Sequence, residues 1–311
     1  MYKKERQTLA QFQRNVGWDL FISAYNDSDR VREVFRGAPA KTKHWCVPEE
    51  YGYAESELPA DAATFRISAC DEASAIADYF SKADVDPAQC RICVDITGFM
   101  RPQILFLVQY LARHGVVAFS AVYSEPLMYT RKEHTAFAVG DVTDVRQVFG
   151  YEGAHSPDTN EDLLVIGAGY DRDLVARVVG HKESARISFL YGFPSLSADM
   201  YQQSVLQMWK PTDTIKGREF GDGVRFTSAN DPFTTAAALS DLWKDAKKGL
   251  NAKNLYLSPL GTKPQTLGFA LFFLKELESE CASIIFPFTS RYSRETSSGI
   301  GRIWTYSVEL Q

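Results

Sequence analysis

Ile96-Thr97-Gly98-Phe99-Met100-Arg101-Pro102-Gln103-Ile104-Leu105 returns later in the chain as Pro259-Leu260-Gly261-Thr262-Lys263-Pro264-Gln265-Thr266-Leu267, with one residue lost between the glycine and the base. Each copy follows an apolar, strand-like run (Arg91 to Val94, Leu255 to Leu257) and precedes an apolar, helix-like run (Ile104 to Leu111, Leu267 to Leu277). Both therefore read as strand, polar glycine turn and helix.

Other pairs recur in the same order, which chance does not supply. Asp19-Leu20-Phe21-Ile22 matches Asp162-Leu163-Leu164-Val165, and Asp27, Asp29, Val31 and Val34 match Asp171, Asp173, Val175 and Val178. Ala69 and Asp71 match Ala229 and Asp231, and Tyr129-Thr130-Arg131 matches Tyr292-Ser293-Arg294. The sequence thus divides into an N-terminal extension (1–15) and two duplicated lobes (16–150 and 158–311).

Within the first lobe, extended runs at Leu20 to Ala24, Trp45 to Val47, Phe65 to Ser68, Arg91 to Val94 and Val116 to Val122 alternate with helical patterns. Such alternation predicts an α/β fold in which each lobe is Rossmann-like, with a mostly parallel sheet covered by helices, the lobes being related by a pseudo-twofold axis. Ligands of doubly wound sheets bind beyond the carboxyl ends of the strands. The candidate ligand residues are accordingly Ser23, Tyr25, Asn26, Thr97, Gly98 and Arg101 in lobe one, and Gly167, Gly169, Gly261, Thr262 and Lys263 in lobe two. Tyr129, Arg131, Tyr292 and Arg294 follow the next strands and join the list, since a ring beside a cation can stack a base while the cation holds phosphate. If the strand ends of the two lobes face each other, one pocket is lined by both halves.

The bland reading of each motif stays open. Thr97 with Arg101 could be a capped helix with a solvated base, and the Tyr-Thr-Arg and Tyr-Ser-Arg segments could be capped surface hairpins. Tyr51-Gly52-Tyr53 and Tyr191-Gly192-Phe193-Pro194 read as plugs of the core rather than as base-stacking turns. Pro102 and Pro264 belong to first helical turns, where a missing N–H costs nothing.

Composition narrows the function classes. The 311 residues, 45% of them hydrophobic, suffice for two domain cores. No run approaches the ~20 apolar residues of a membrane span, and the start lacks the apolar core of a signal peptide, so a cytoplasmic protein without membrane association is expected. Five cysteines argue against a disulfide framework. Cys90-x-x-Cys93 has no second ligand pair, so no metal is expected. A net charge of −5 argues against extended duplex nucleic acid, though not against a small anion held by a few bases. Gly167-x-Gly169 lacks the third glycine of a dinucleotide fingerprint, Arg172 standing there, and neither a P-loop nor a G-x-S-x-G elbow occurs, so no cofactor is expected. Of the five histidines, His134 lies nearest the candidate loops and reads more readily as a solvated loop residue than as a general acid.

The pattern Asp95-x-Thr97-x-x-x-Arg101 at a strand end resembles the second signature loop of CARF domains, the CRISPR-associated Rossmann folds that sense cyclic oligonucleotides, and two such lobes fused in tandem resemble the SAVED domains of bacterial anti-phage signalling. Lobe two departs from the pattern, bringing its base one residue closer. The resemblance implies a small anionic oligonucleotide, cyclic in this family, bound by Ser23 to Asn26 and Gly167 to Tyr170 together with the second-loop residues. It also implies a separately encoded effector partner in antiviral defence. Two enzymatic alternatives remain: a metal-independent phosphodiesterase or nucleotide hydrolase using the same loops, and an NAD hydrolase, since Trp18 to Ala24 resembles the first strand of TIR domains.

Overall fold

In the computed structural model, residues 2–67, 71–129, 138–169, 171–196, 218–292, 294 and 297–310 are described. They form two mostly parallel α/β sheets, one of seven strands and one of six.

The first compact unit comprises Met1–Gly140 and Ser290–Gln311. Its strands are β1 (Lys3–Gln7), β2 (Trp18–Ala24), β3 (Ala40–Pro48), β4 (Ala63–Ile67), β5 (Ile92–Asp95), β6 (Ala118–Tyr129) and β13 (Ser297–Glu309), in the order β1-β13-β6-β5-β2-β3-β4. From β6 to β4 all neighbours are parallel. Helices α1 (Leu9–Phe12), α2 (Asp29–Gly37), α3 (Glu72–Ala83) and α4 (Arg101–Arg113) complete the unit. An aromatic core fixes α2 against the sheet, with Phe35 stacked on Trp45 at 3.5 Å between ring centroids. Burial of each such ring contributes about 2–3 kcal/mol. Tyr51 and Tyr53 are 6% and 4% exposed and belong to this core, as expected of an aromatic-glycine plug.

The second unit, Asp141–Thr289, holds β7 (Ala138–Gln147, most of it), β8 (Leu163–Gly167), β9 (Arg186–Gly192), β10 (Glu219–Thr227), β11 (Leu255–Pro259) and most of β12 (Ala282–Tyr292). Their order is β10-β9-β8-β11-β12-β7. Its helices are α5 (Arg172–His181), α6 (Pro232–Gly249) and α7 (Lys263–Glu276).

Written in each unit's own chain order, both five-strand cores run 3-2-1-4-5, the doubly wound arrangement. The repeated residues play repeated local roles. Asp71 caps α3 through Ser74 N–H, and Asp231 caps α6 through the N–H groups of Phe233 and Thr234. Pro102 and Pro264 sit in the first turns of α4 and α7. The residue after each, Gln103 or Gln265, turns its Oε1 back to accept from Met100 N (3.1 Å) or Thr262 N (3.0 Å). The shared Pro-Gln pair is thus a helix-start device.

The compact units cut the chain elsewhere than the repeat boundaries 16–150 and 158–311. Strand β13, from the end of lobe two, pairs antiparallel with β6 over Ser297↔Tyr129 to Glu309↔Ala118, and β7, from the end of lobe one, lies beside β12. Within the N-terminal extension, β1 pairs with β13 from Lys3↔Ser307 to Gln7↔Ile303. Among the described residues, no helix is long and apolar enough to cross a membrane.

Candidate functional site

In each unit the strand order reverses between the first and fourth core strands, β2 and β5 in one unit, β8 and β11 in the other. The loops leaving those strands flank the crevice where doubly wound sheets bind ligands. The sequence places its main candidates on these loops.

In the first unit, Ser23 of β2 lies opposite Asp95 of β5 and donates its hydroxyl to Asp95 Oδ2 at 2.9 Å. Asp95 Oδ1 accepts from Thr97 N at 2.9 Å, and Thr97 Oγ1 accepts from Ser124 N at 3.0 Å. Ser23, Asp95 and Thr97 are at most 1% exposed. A carboxylate so placed fixes the turn after β5, because its oxygens are held by the strand beside it and by the loop it supports. Gly98 approaches the other loop so closely that a Cβ built on it would lie 1.9 Å from Ala24 O. Tyr51 donates its phenol to Gly98 O at 2.8 Å. Asn26 Oδ1 accepts from Ser28 N at 2.8 Å, shaping the turn into α2. Arg30, 7% exposed, donates to Ser124 O at 2.7 Å.

The structure therefore brings Ser23, Asn26, Thr97 and Gly98 together, and it uses the first three to hold the loops. What the loops present is the start of α4, with half-buried Arg101 as its first residue. A helix start joined to a guanidinium suits an anionic oxygen.

In the second unit, Gly167 of β8 lies opposite Pro259 of β11. Gly169 approaches the next loop as Gly98 does in the first unit, its virtual Cβ lying 2.1 Å from Leu260 O. The close approach recurs with the glycine on the other partner loop. Thr262 caps α7, accepting from Gln265 N at 3.3 Å, and its hydroxyl also bonds Ala229 O. A Cβ on Gly261 would lie 2.5 Å from Gln265 Oε1. Lys263 opens the helix, half-buried as Arg101 is. In the same helix start and in β11, Gln265 Nε2 and Ser258 Oγ are buried without hydrogen-bond partners among the described residues. Sequence reading missed Gln265 as a site residue, although its echo with Gln103 was visible.

Arg131, Tyr170 and His134 lie outside the described residues, and Tyr129 closes β6 opposite Ser297. Tyr292 and Arg294, assigned by sequence to lobe two, belong to the first unit, which takes in the chain from Ser290 at the end of β12 onward. Tyr292 packs against the aromatic core. Arg294 clamps the turn after β3: Nε donates to Tyr51 O at 2.6 Å, Nη1 pairs with Glu57 at 2.9 Å, Nη2 bonds Gly52 O, and the guanidinium lies 4.2 Å from the Tyr53 ring centre.

Glu50, beside that turn, has Oε2 buried without a partner among the described residues, and burial pushes its carboxyl up to about 7. Burial lowers the pKa of His44, which shares a hydrogen bond of 2.9 Å with the Tyr79 phenol. Among the described residues, no group of three or more His, Cys, Asp or Glu is placed to hold a metal ion.

A scan against protein-family models finds no match to this chain, and a search of curated proteins finds none.

Proposed function

We propose that the protein is a nucleotide-sensing module that binds a small anionic oligonucleotide, cyclic in the leading case, at the switch-point loops of its two units and signals to a separately encoded effector. The carrying observation is the placement of Arg101 and Lys263. In both units the base is the first residue of the helix that follows the fourth core strand, at the point where the strand order reverses. The resemblance to CARF and SAVED domains supports a cyclic oligonucleotide and a role in antiviral defence.

Binding shifts a conformational equilibrium only through contacts that are better in one state.

The test is thermal stability of the full chain against cyclic di-, tri- and tetranucleotides, NAD, ATP and ADP-ribose, followed by mass spectrometry of the recovered ligand. A rise in melting temperature with one intact cyclic nucleotide is the expected result. Ligand breakdown would make the protein a phosphodiesterase or nucleotide hydrolase, and no rise with any compound would overturn the reading.

A further inference from the structure

A cavity of about 370 Å³ opens in the first unit between α2 and the segment before β4, lined by Tyr25, Arg32, Arg36, Trp45, Pro59, Ala60 and Asp61. Its volume lies within the range of small-molecule sites, about 300–1,000 Å³. Arg32 and Arg36 stand one helical turn apart, so their guanidinium groups share one face of α2. Arg32 Nε is buried and has no hydrogen-bond partner among the described residues. The Arg36 guanidinium pairs with Glu33, at 2.9 Å, and the two side chains are 58% and 46% exposed. Such a solvent-screened pair yields readily to a better acceptor.

Asp61 adds a carboxylate to the same lining. Trp45 donates its indole N–H to Asp61 Oδ1 at 3.0 Å, which holds the carboxylate at the cavity edge. Tyr25 is anchored by its phenol, which donates to Glu57 O at 3.2 Å. The rest of the lining comes from Tyr25, Trp45, Pro59 and Ala60.

We propose that this cavity is a second ligand site, taking a small organic anion whose phosphate or carboxylate is held by Arg32 and Arg36, whose ring-bearing body lies along Tyr25 and Pro59, and whose N–H donor meets Asp61. Forked guanidinium donors recognise phosphate and carboxylate alike. The site uses neither Arg101 nor Lys263 and stands independently of the function proposed for the switch-point loops.

Isothermal titration calorimetry on the full chain tests this with guanosine monophosphate and indole-3-acetate, each carrying an anionic group and a ring N–H. Guanosine and inorganic phosphate serve as controls. Saturable binding of guanosine monophosphate but not of guanosine is expected for a phosphate ligand, and binding of indole-3-acetate for a carboxylate. In either case Arg32→Gln weakens binding at least tenfold, and Arg36→Gln, at an exposed position, weakens it with an unchanged melting temperature. Arg101→Ala leaves it unchanged. Absence of binding by both compounds at millimolar concentration overturns the proposal. So does affinity that survives Arg32→Gln and Arg36→Gln, or affinity lost in Arg101→Ala but kept in Arg32→Gln.

Discussion

Gly98 and Ala24 meet across the switch point of the first unit so closely that a Cβ on Gly98 would sit 1.9 Å from the Ala24 carbonyl oxygen. The obstacle is backbone, which cannot rotate away as a side-chain end can. Gly98→Ala is expected to destabilise the protein by about 1–3 kcal/mol, the usual cost of forcing atoms into a packed site. Gly169→Ala should behave alike in the second unit, where the obstacle is Leu260 O at 2.1 Å. Urea denaturation measures both, and unchanged midpoints would mean that the loops do not pack in this way.

Arg101→Ala and Lys263→Ala remove the bases that open α4 and α7. Each is expected to weaken binding of the responsive nucleotide by about 1–3 kcal/mol, the range for hydrogen bonds to charged groups, while leaving folding intact. Affinity unchanged in both variants would remove these helix starts from the site.

Arg294 separates a structural clamp from a ligand contact. Its guanidinium holds the carbonyls of Tyr51 and Gly52, the Glu57 carboxylate and the face of Tyr53 at once. Arg294→Ala is expected to lower stability by about 1–3 kcal/mol, and Arg294→Lys to recover only part of it, because an ammonium cannot reproduce the planar fork. Nucleotide affinity of the folded variant should match the parent, and a selective loss of affinity would return Arg294 to the ligand site.

Glu50 sets a pH dependence whose sign follows from burial. Its carboxyl rises from an ordinary 4.5 to about 7 in the folded protein, so the native state holds the proton more tightly than the unfolded chain does. This contribution to stability is fully present below about pH 4.5 and is lost as pH rises through about 7. Glu50→Gln, which cannot ionise, should gain in melting temperature relative to the parent as pH is raised from about 5 to 8. A difference that stays flat with pH would show that the carboxyl is not buried in this way.

A fragment of residues 1–150 keeps all of lobe one as the repeat defines it but lacks β13. That strand pairs with β6 on one side and β1 on the other, so its loss removes the sheet partner of β1 and opens one edge of β6. The fragment is expected to aggregate through exposed strand edges. Adding residues 290–311 in trans or by a linker should improve its solubility, and a soluble, cooperatively melting 1–150 fragment would contradict the strand arrangement.

Much of the fold was legible in the sequence because it rests on local regularities. Alternating apolar runs and helical patterns predict strands such as Leu20 to Ala24 and helices such as Ile104 to Arg113, and the repeated Asp, Pro and base residues mark the starts of equivalent helices. Those signals act within a few residues of chain, so two copies of a motif announce two copies of a strand-turn-helix unit. The bases at the starts of α4 and α7 were legible for the same reason, and so were the core positions of Tyr51 and Tyr53.

Which strand completes which sheet was decided only by tertiary structure. Pairing of β13 with β6 joins residues more than 150 positions apart, and nothing in a local pattern says which of two similar sheet edges a strand will join. The return of the chain to the first unit likewise puts Arg294 on the carbonyls of Tyr51 and Gly52. The fate of each polar group was likewise a matter of three-dimensional neighbours. Ser23 and Thr97 look in sequence like ligand hydroxyls, yet Ser23 donates to Asp95 of the neighbouring strand and Thr97, in the turn after β5, accepts from Ser124 N of β6, and a buried polar group must find such a partner to avoid the cost of desolvation.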